Sequence, residues 1–178
     1  MSVEHNEPNH ISFEEVISKS KEILLQTGHH KPILILDDIQ RLITVEIGIQ
    51  NIPPTHGEAL DLFRFLGQAT AKSGTVQKLR QVFMVSEAWY TLPKDDDEKH
   101  NKATQTPNRV DALIISGFQI KENTRQTKIL EIIKNHDAKA VQLHDIEPAR
   151  ERNDEKTHTP LLDAFVDGFQ TAYKIRYN

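Results

Sequence analysis

Residues 81–90 read Gln-Val-Phe-Met-Val-Ser-Glu-Ala-Trp-Tyr, and this stretch is the strongest strand candidate in the chain. Side chains alternate along a strand, which puts Phe83, Val85, Glu87 and Trp89 on one face and Val82, Met84, Ser86 and Ala88 on the other. Because both faces are largely apolar, the pattern predicts a central strand of a sheet. The carboxylate of Glu87 must then be paired, hydrogen-bonded or protonated, since burying it alone is costly.

The elements on either side of this strand set the fold class. We predict a helix from about 13 to 27, strands at 32–36 and 42–49, a helix from 55 to 74, strands at 110–120, 129–134 and 139–146, and a helix from 160. The strands come in runs, so the order α-β-β-α-β-β-β-β-α predicts an α+β domain with a mainly antiparallel sheet of about six strands. We expect the helices to pack mostly on one face of that sheet.

Local signals mark where the helices begin. Ser12 with Glu15, and Thr55 with Glu58, have the spacing of a capping box. Pro160 follows Thr159 and suits the first position of the last helix. All three helices carry an apolar stripe, which predicts that each one packs against the rest of the domain.

Length and composition indicate one domain. The 178 residues can bury a substantial core, and the hydrophobic fraction of 37% does not indicate a disordered chain. We predict a disordered lead-in over residues 1–10 and a single domain over 11–178. The polar segment 91–108 has two prolines and a run of acidic residues, and we predict it to be a long loop that is either disordered or functional.

Charge and residue usage restrict the function. The net charge of −4 argues against a general nucleic-acid binder, and the apolar runs are too short to span a membrane. The chain has no cysteine, which excludes disulfides, thiolate nucleophiles and cysteine-based zinc or iron–sulfur sites. The N-terminus lacks the features of a signal peptide, so we expect a cytoplasmic protein.

Glu87 is the first candidate for a functional residue. If its strand forms a long-looped hairpin with the strand at 110–120, Arg109 becomes its natural partner, although the sequence does not fix the register. The pair could act as a general acid or base, or Glu87 could ligate a metal. The alternative is a buried structural ion pair, or a strand end that emerges into solvent, and we favour this alternative.

The other polar candidates are weaker. The nine histidines lack metal-binding spacing, and for adjacent ones such as His29 and His30 we expect surface roles. Asp37 and Asp38 resemble a magnesium-binding pair at a strand end, but acidic residues are also common in hairpin turns, which is the interpretation we favour.

No recognisable catalytic motif completes a site. The sequence contains neither a nucleophile elbow nor a glycine-rich phosphate loop, and it indicates no cofactor. We therefore expect a non-catalytic accessory or protein-interaction module that binds a protein partner or itself through apolar helix faces or sheet edges. The alternative is a hydrolase-type enzyme that uses Glu87, with Arg109 or a histidine, beneath the 91–108 loop.

Overall fold

The structure is a computed structural model that describes residues 10–91, 109–137, 139–146 and 159–177. Its elements in chain order are α1 (Phe13–Thr27), β1 (Ile33–Asp38), β2 (Leu42–Glu46), α2 (His56–Ser73), β3 (Leu79–Thr91), β4 (Arg109–Gln119), β5 (Thr124–Lys134), β6 (Ala140–Ile146) and α3 (Pro160–Tyr177). This order is the one predicted from the sequence.

The strands form one antiparallel sheet. Within the described residues its order is β2-β1-β3-β4-β5-β6, and every neighbouring pair is antiparallel. The predicted α+β class is confirmed. The stretch at 81–90 belongs to β3, which lies inside the sheet between β1 and β4, while β2 and β6 form its edges.

Two hydrophobic clusters flank the sheet. One contains Val82 and Met84 of β3 with the apolar faces of α2 and α3. The other contains Phe83 and Val85 with the apolar face of α1. Two of the three helices of the described residues thus share a face, as predicted, and α1 covers the other.

The helices α2 and α3 touch through their backbones. A Cβ added to Gly67 would lie 2.0 Å from the carbonyl oxygen of Phe165, and one added to Gly168 would lie 2.1 Å from that of Arg64. Only glycine permits so close an approach. Arg64 also donates to Asp167 at 3.3 Å across the same crossing.

A salt bridge joins α3 to the sheet. Arg125 of β5 donates to Asp163 at 2.7 Å, and its guanidinium lies 4.3 Å from the ring centroid of Phe118. This contact fixes the first turn of α3 against β4 and β5.

Local chemistry explains both ends of α1. The capping box of Ser12 and Glu15 is formed, and Gly28 ends the helix with a left-handed φ of 82°. Phe13 stacks on Phe83 with ring centroids 6.2 Å apart. Gly117 makes room for this stack, because a Cβ there would lie 3.0 Å from the Phe83 ring.

Several strand boundaries differ from the predicted ones. β1 continues through Asp38, whereas β2 ends at Glu46 and is followed by a 3-10 turn at Ile49–Asn51. β5 begins at Thr124 rather than at 129, because its first half is polar and carries no hydrophobic signal. Asn123, with a φ of 52°, makes the tight turn that leads into it.

Two predicted regions fall largely outside the described residues. The lead-in 1–10 is described only at His10, and the loop 91–108 only at Thr91, which is the last residue of β3. Among the helices of the described residues, none combines the length and the hydropathy of a membrane span.

Candidate functional site

Glu87 lies on β3, partly buried, on the face that α1 covers. Its Oε1 accepts a hydrogen bond from the backbone N–H of His30, in the connection between α1 and β1. The carboxylate therefore satisfies a backbone donor that follows the end of a helix. This contact joins the sheet to the segment that leaves α1.

His30 is buried, with 5% of its surface exposed, so the expected surface role is wrong for this residue, whereas His29 is exposed. The Nδ1 of His30 lies 2.8 Å from the carbonyl oxygen of Lys31. A carbonyl only accepts, so Nδ1 carries the hydrogen and Nε2 is left with a lone pair in the neutral ring. Within the described residues, that buried Nε2 has no hydrogen-bond partner.

Arg109 and Glu87 are well separated along the sheet. The β3–β4 register pairs Glu87 with Leu113 and Thr91 with Arg109. Four residues along a strand correspond to roughly 13 Å between the two backbone positions. The partner that the structure gives Glu87 is the His30 N–H.

A second polar cluster surrounds Asp37 at the opposite end of the same face. Its side chain is fully buried and accepts from Arg80 at 2.7 Å and from Gln81 at 2.8 Å. His10, whose side chain is 57% exposed, places its Nδ1 2.9 Å from the same carboxylate. Gln81 also donates to the carbonyl of Ile11 at 2.6 Å. The cluster fixes the chain just before α1 on the sheet.

Asp38 has a different set of partners. Its carboxylate accepts from the backbone N–H groups of Ile39, Gln77 and Lys78 at 2.9, 3.2 and 2.7 Å. It thereby joins the β1–β2 turn to the start of β3.

The hairpin interpretation of the acidic pair is only partly right. Asp37 is a strand residue opposite Leu42, and both carboxylates are buried, at 0% and 1% exposure. Their oxygens are occupied by N–H donors. In the described part of the chain, no group of three or more potential ligands could hold a metal ion.

Sequence reasoning missed His10, Arg80 and Gln81. Asp37 lies 27, 43 and 44 positions from these three residues, so no local pattern joins them. One signal was present: Gln81 is a polar residue at the start of an otherwise apolar strand, where a buried amide needs partners.

An apolar surface lies on the other face of the sheet, beyond α2 and α3. The register places Ser86, Ile114, Ile129 and Ile146 side by side across four strands. Ile129 is 5% exposed, whereas Ile114, Ile146 and the nearby Ile133 are partly exposed. None of these isoleucines belongs to either hydrophobic cluster of the described residues. We call Ile114, Ile129, Ile133 and Ile146 the isoleucine face.

Comparison of the chain with known proteins identifies no relative. No family model, curated protein or solved structure matches the chain. Function must therefore be inferred from the polar clusters and the isoleucine face. The carboxylates of Glu87, Asp37 and Asp38 accept hydrogen bonds from backbone or side-chain donors.

Proposed function

We propose that this chain is a non-catalytic protein-interaction module of the cytoplasm. The observation that carries the proposal is the isoleucine face, three of whose four side chains are partly exposed and which lies outside both hydrophobic clusters of the described residues. Exposed apolar surface is typical of contact sites between proteins. The absence of cysteine supports the cytoplasmic assignment.

The partner we propose is a second copy of the chain. A two-fold interface places the same patch on both subunits, so the isoleucines of one copy meet those of the other. Glu131 lies between Ile129 and Ile133 on the same side of β5, directly opposite His144 of β6. In a two-fold pair, Glu131 of one copy can meet His144 of the other, which gives the interface complementary polar groups.

Sedimentation velocity with matched variants tests this proposal. Ile133→Lys places a charge on the isoleucine face, and Ile175→Lys places one on α3 at a side chain that is 77% exposed. We expect a wild-type dimer that Ile133→Lys weakens at least tenfold and that Ile175→Lys leaves unchanged. A monomeric wild type, or equal effects of the two variants, would contradict the proposal.

A second candidate function is a hydrolase-type enzyme in which Glu87 acts as acid, base or metal ligand. The observation that favours it is the contact between Glu87 and the backbone N–H of His30, whose buried ring Nε2 has no hydrogen-bond partner among the described residues. Under this alternative, Arg109 contributes only if it reaches Glu87 from four residues along the sheet.

The enzyme candidate has its own test. Ester and phosphoester substrates are screened with the wild type and with Glu87→Gln, and a thermal-shift panel with divalent metals is run on both proteins. Turnover or a metal-induced shift that disappears in Glu87→Gln, with folding retained, would favour the enzyme. Identical behaviour of the two proteins would count against it.

A further inference from the structure

The helix α1 is attached to the sheet in a different way from α2 and α3. It is the first described element, and it contacts β3, β4 and β6. Among the described helices, it alone covers its face of the sheet. By contrast, α2 and α3 interlock through Gly67 and Gly168. One face of the sheet is thus covered by a single described helix, and the other face by two interlocked helices.

Polar contacts hold the chain just before α1. Gln81 donates to the carbonyl of Ile11, and His10 lies against the buried Asp37. Both sheet residues are buried, with Gln81 at 3% and Asp37 at 0% exposure. We call this group the N-terminal clamp.

A contact with β3 holds the chain just after α1, before Lys31 pairs with Glu46 of β2. The Glu87 carboxylate accepts the N–H of His30, two residues beyond Gly28, where the helix has ended. We call this contact the C-terminal clamp. Among the described residues, no hydrogen bond joins a side chain within Phe13–Thr27 to the sheet, so between the clamps the helix is held chiefly by apolar packing.

We propose that α1 is a strap that opens as a unit while the sheet and the α2–α3 pair stay folded, and that the two clamps set how often it opens. Proteins open locally in contiguous units whose opening free energies range up to that of global unfolding. α1 is a candidate for such a unit because its described hydrogen bonds to the sheet lie at its two ends. Opening uncovers the apolar residues beneath the strap, which include Phe83, Leu113 and Ile115. This proposal does not depend on the proposed function, since the opening of α1 requires no partner molecule.

Hydrogen exchange followed by mass spectrometry tests the strap. Glu87→Ala removes the C-terminal clamp, and Asp167→Ala serves as the control because it removes a carboxylate contact to Arg64 on the other face. We expect wild-type α1 amides to exchange faster than those of β3 and β4. Glu87→Ala should lower protection in α1 by roughly tenfold, as expected for loss of a hydrogen bond to a charged acceptor.

Hydrogen exchange in the control variant and in the other helices shows whether the effect is confined to α1. Asp167→Ala should leave α1 exchange unchanged, and Glu87→Ala should leave α2 and α3 protected. Equal opening free energies for α1 and the central strands, shifting together in every variant, would mean that α1 opens only by global unfolding. That result would overturn the proposal.

A disulfide lock gives a second test if Glu87→Ala does not fold. A Cβ on Gly28 would lie 3.9 Å from that of Lys139, within the range of native disulfides of roughly 3.5–4.5 Å. Because the left-handed φ of Gly28 strains any side chain there, the oxidised and reduced forms of the same double variant are compared. The chain has no cysteine, so Gly28→Cys with Lys139→Cys yields one cross-link. Oxidation should slow α1 exchange toward that of the sheet, and reduction should restore it. Equal α1 exchange in the two states would contradict the strap.

Discussion

Replacing Gly67 with alanine should destabilise the protein, although alanine is the better helix former. A Cβ at this position would lie 2.0 Å from the Phe165 carbonyl oxygen and 2.8 Å from the Phe169 amide nitrogen. Favourable contacts between carbon and carbonyl oxygen begin at roughly 3.3 Å. Both neighbours are backbone atoms of α3, so no side-chain rotation relieves the clash and α3 must move away by about 1 Å.

The magnitude follows from two opposing contributions. A gap of about 1 Å forfeits a quarter to a half of the dispersion energy between the facing atoms, and overpacking of this kind costs up to about 3 kcal/mol. Replacing glycine with alanine inside a helix by itself raises the free energy of unfolding by about 1 kcal/mol. We therefore expect Gly67→Ala to lower the free energy of unfolding by about 2 kcal/mol.

Gly57→Ala is the matched control. Gly57 is also in α2, but an added Cβ there meets nothing within 4 Å. Its free energy of unfolding should stay the same or rise by up to about 1 kcal/mol. Guanidinium denaturation of both variants measures the difference, with the m-value checking that unfolding stays two-state. If Gly67→Ala proved as stable as Gly57→Ala, the close crossing of α2 and α3 would be wrong.

Three further substitutions test the polar contacts. Ser12→Ala should raise the pKa of Glu15, which the Ser12 backbone N–H and hydroxyl hold below its usual value, in an NMR titration. Because the folded-state pKa is lowered, the stability linked to Glu15 is present above its unfolded pKa and is lost as pH falls through the folded pKa. An unchanged pKa would refute the hydrogen bond from the Ser12 hydroxyl to the Glu15 carboxylate. Gln81→Leu should lower the free energy of unfolding by about 1–3 kcal/mol, because the carbonyl of Ile11 loses its buried donor. Asp38→Ala should cost a similar amount, about 1–3 kcal/mol, since three backbone N–H groups lose their acceptor. Chemical denaturation measures both, and changes below about 0.5 kcal/mol would contradict the assigned contacts.

The features that local sequence predicted are those that neighbouring residues determine. The cap at Ser12 and the stop at Gly28 each depend on residues within one turn of the helix, and both are confirmed. The order of elements also followed from local periodicity. The first half of β5 was missed because its residues are polar and its strand structure comes from pairing with β4.

The features that local sequence could not predict depend on contacts between distant residues. The partner of Glu87 is the N–H of His30, which lies 57 positions away, whereas sequence reasoning favoured Arg109. A long connection does not fix the register of two strands as a tight turn does, so the position of Arg109 was open. The burial of Asp37 was hidden in the same way, since its partners come from β3 and from the chain before α1.

Sedimentation equilibrium of the wild-type protein, from low to high micromolar concentration, tests the central claim most directly. The proposed function predicts an average mass that rises from that of the monomer towards that of the dimer as concentration increases. A monomer mass at every concentration would contradict self-association through the isoleucine face.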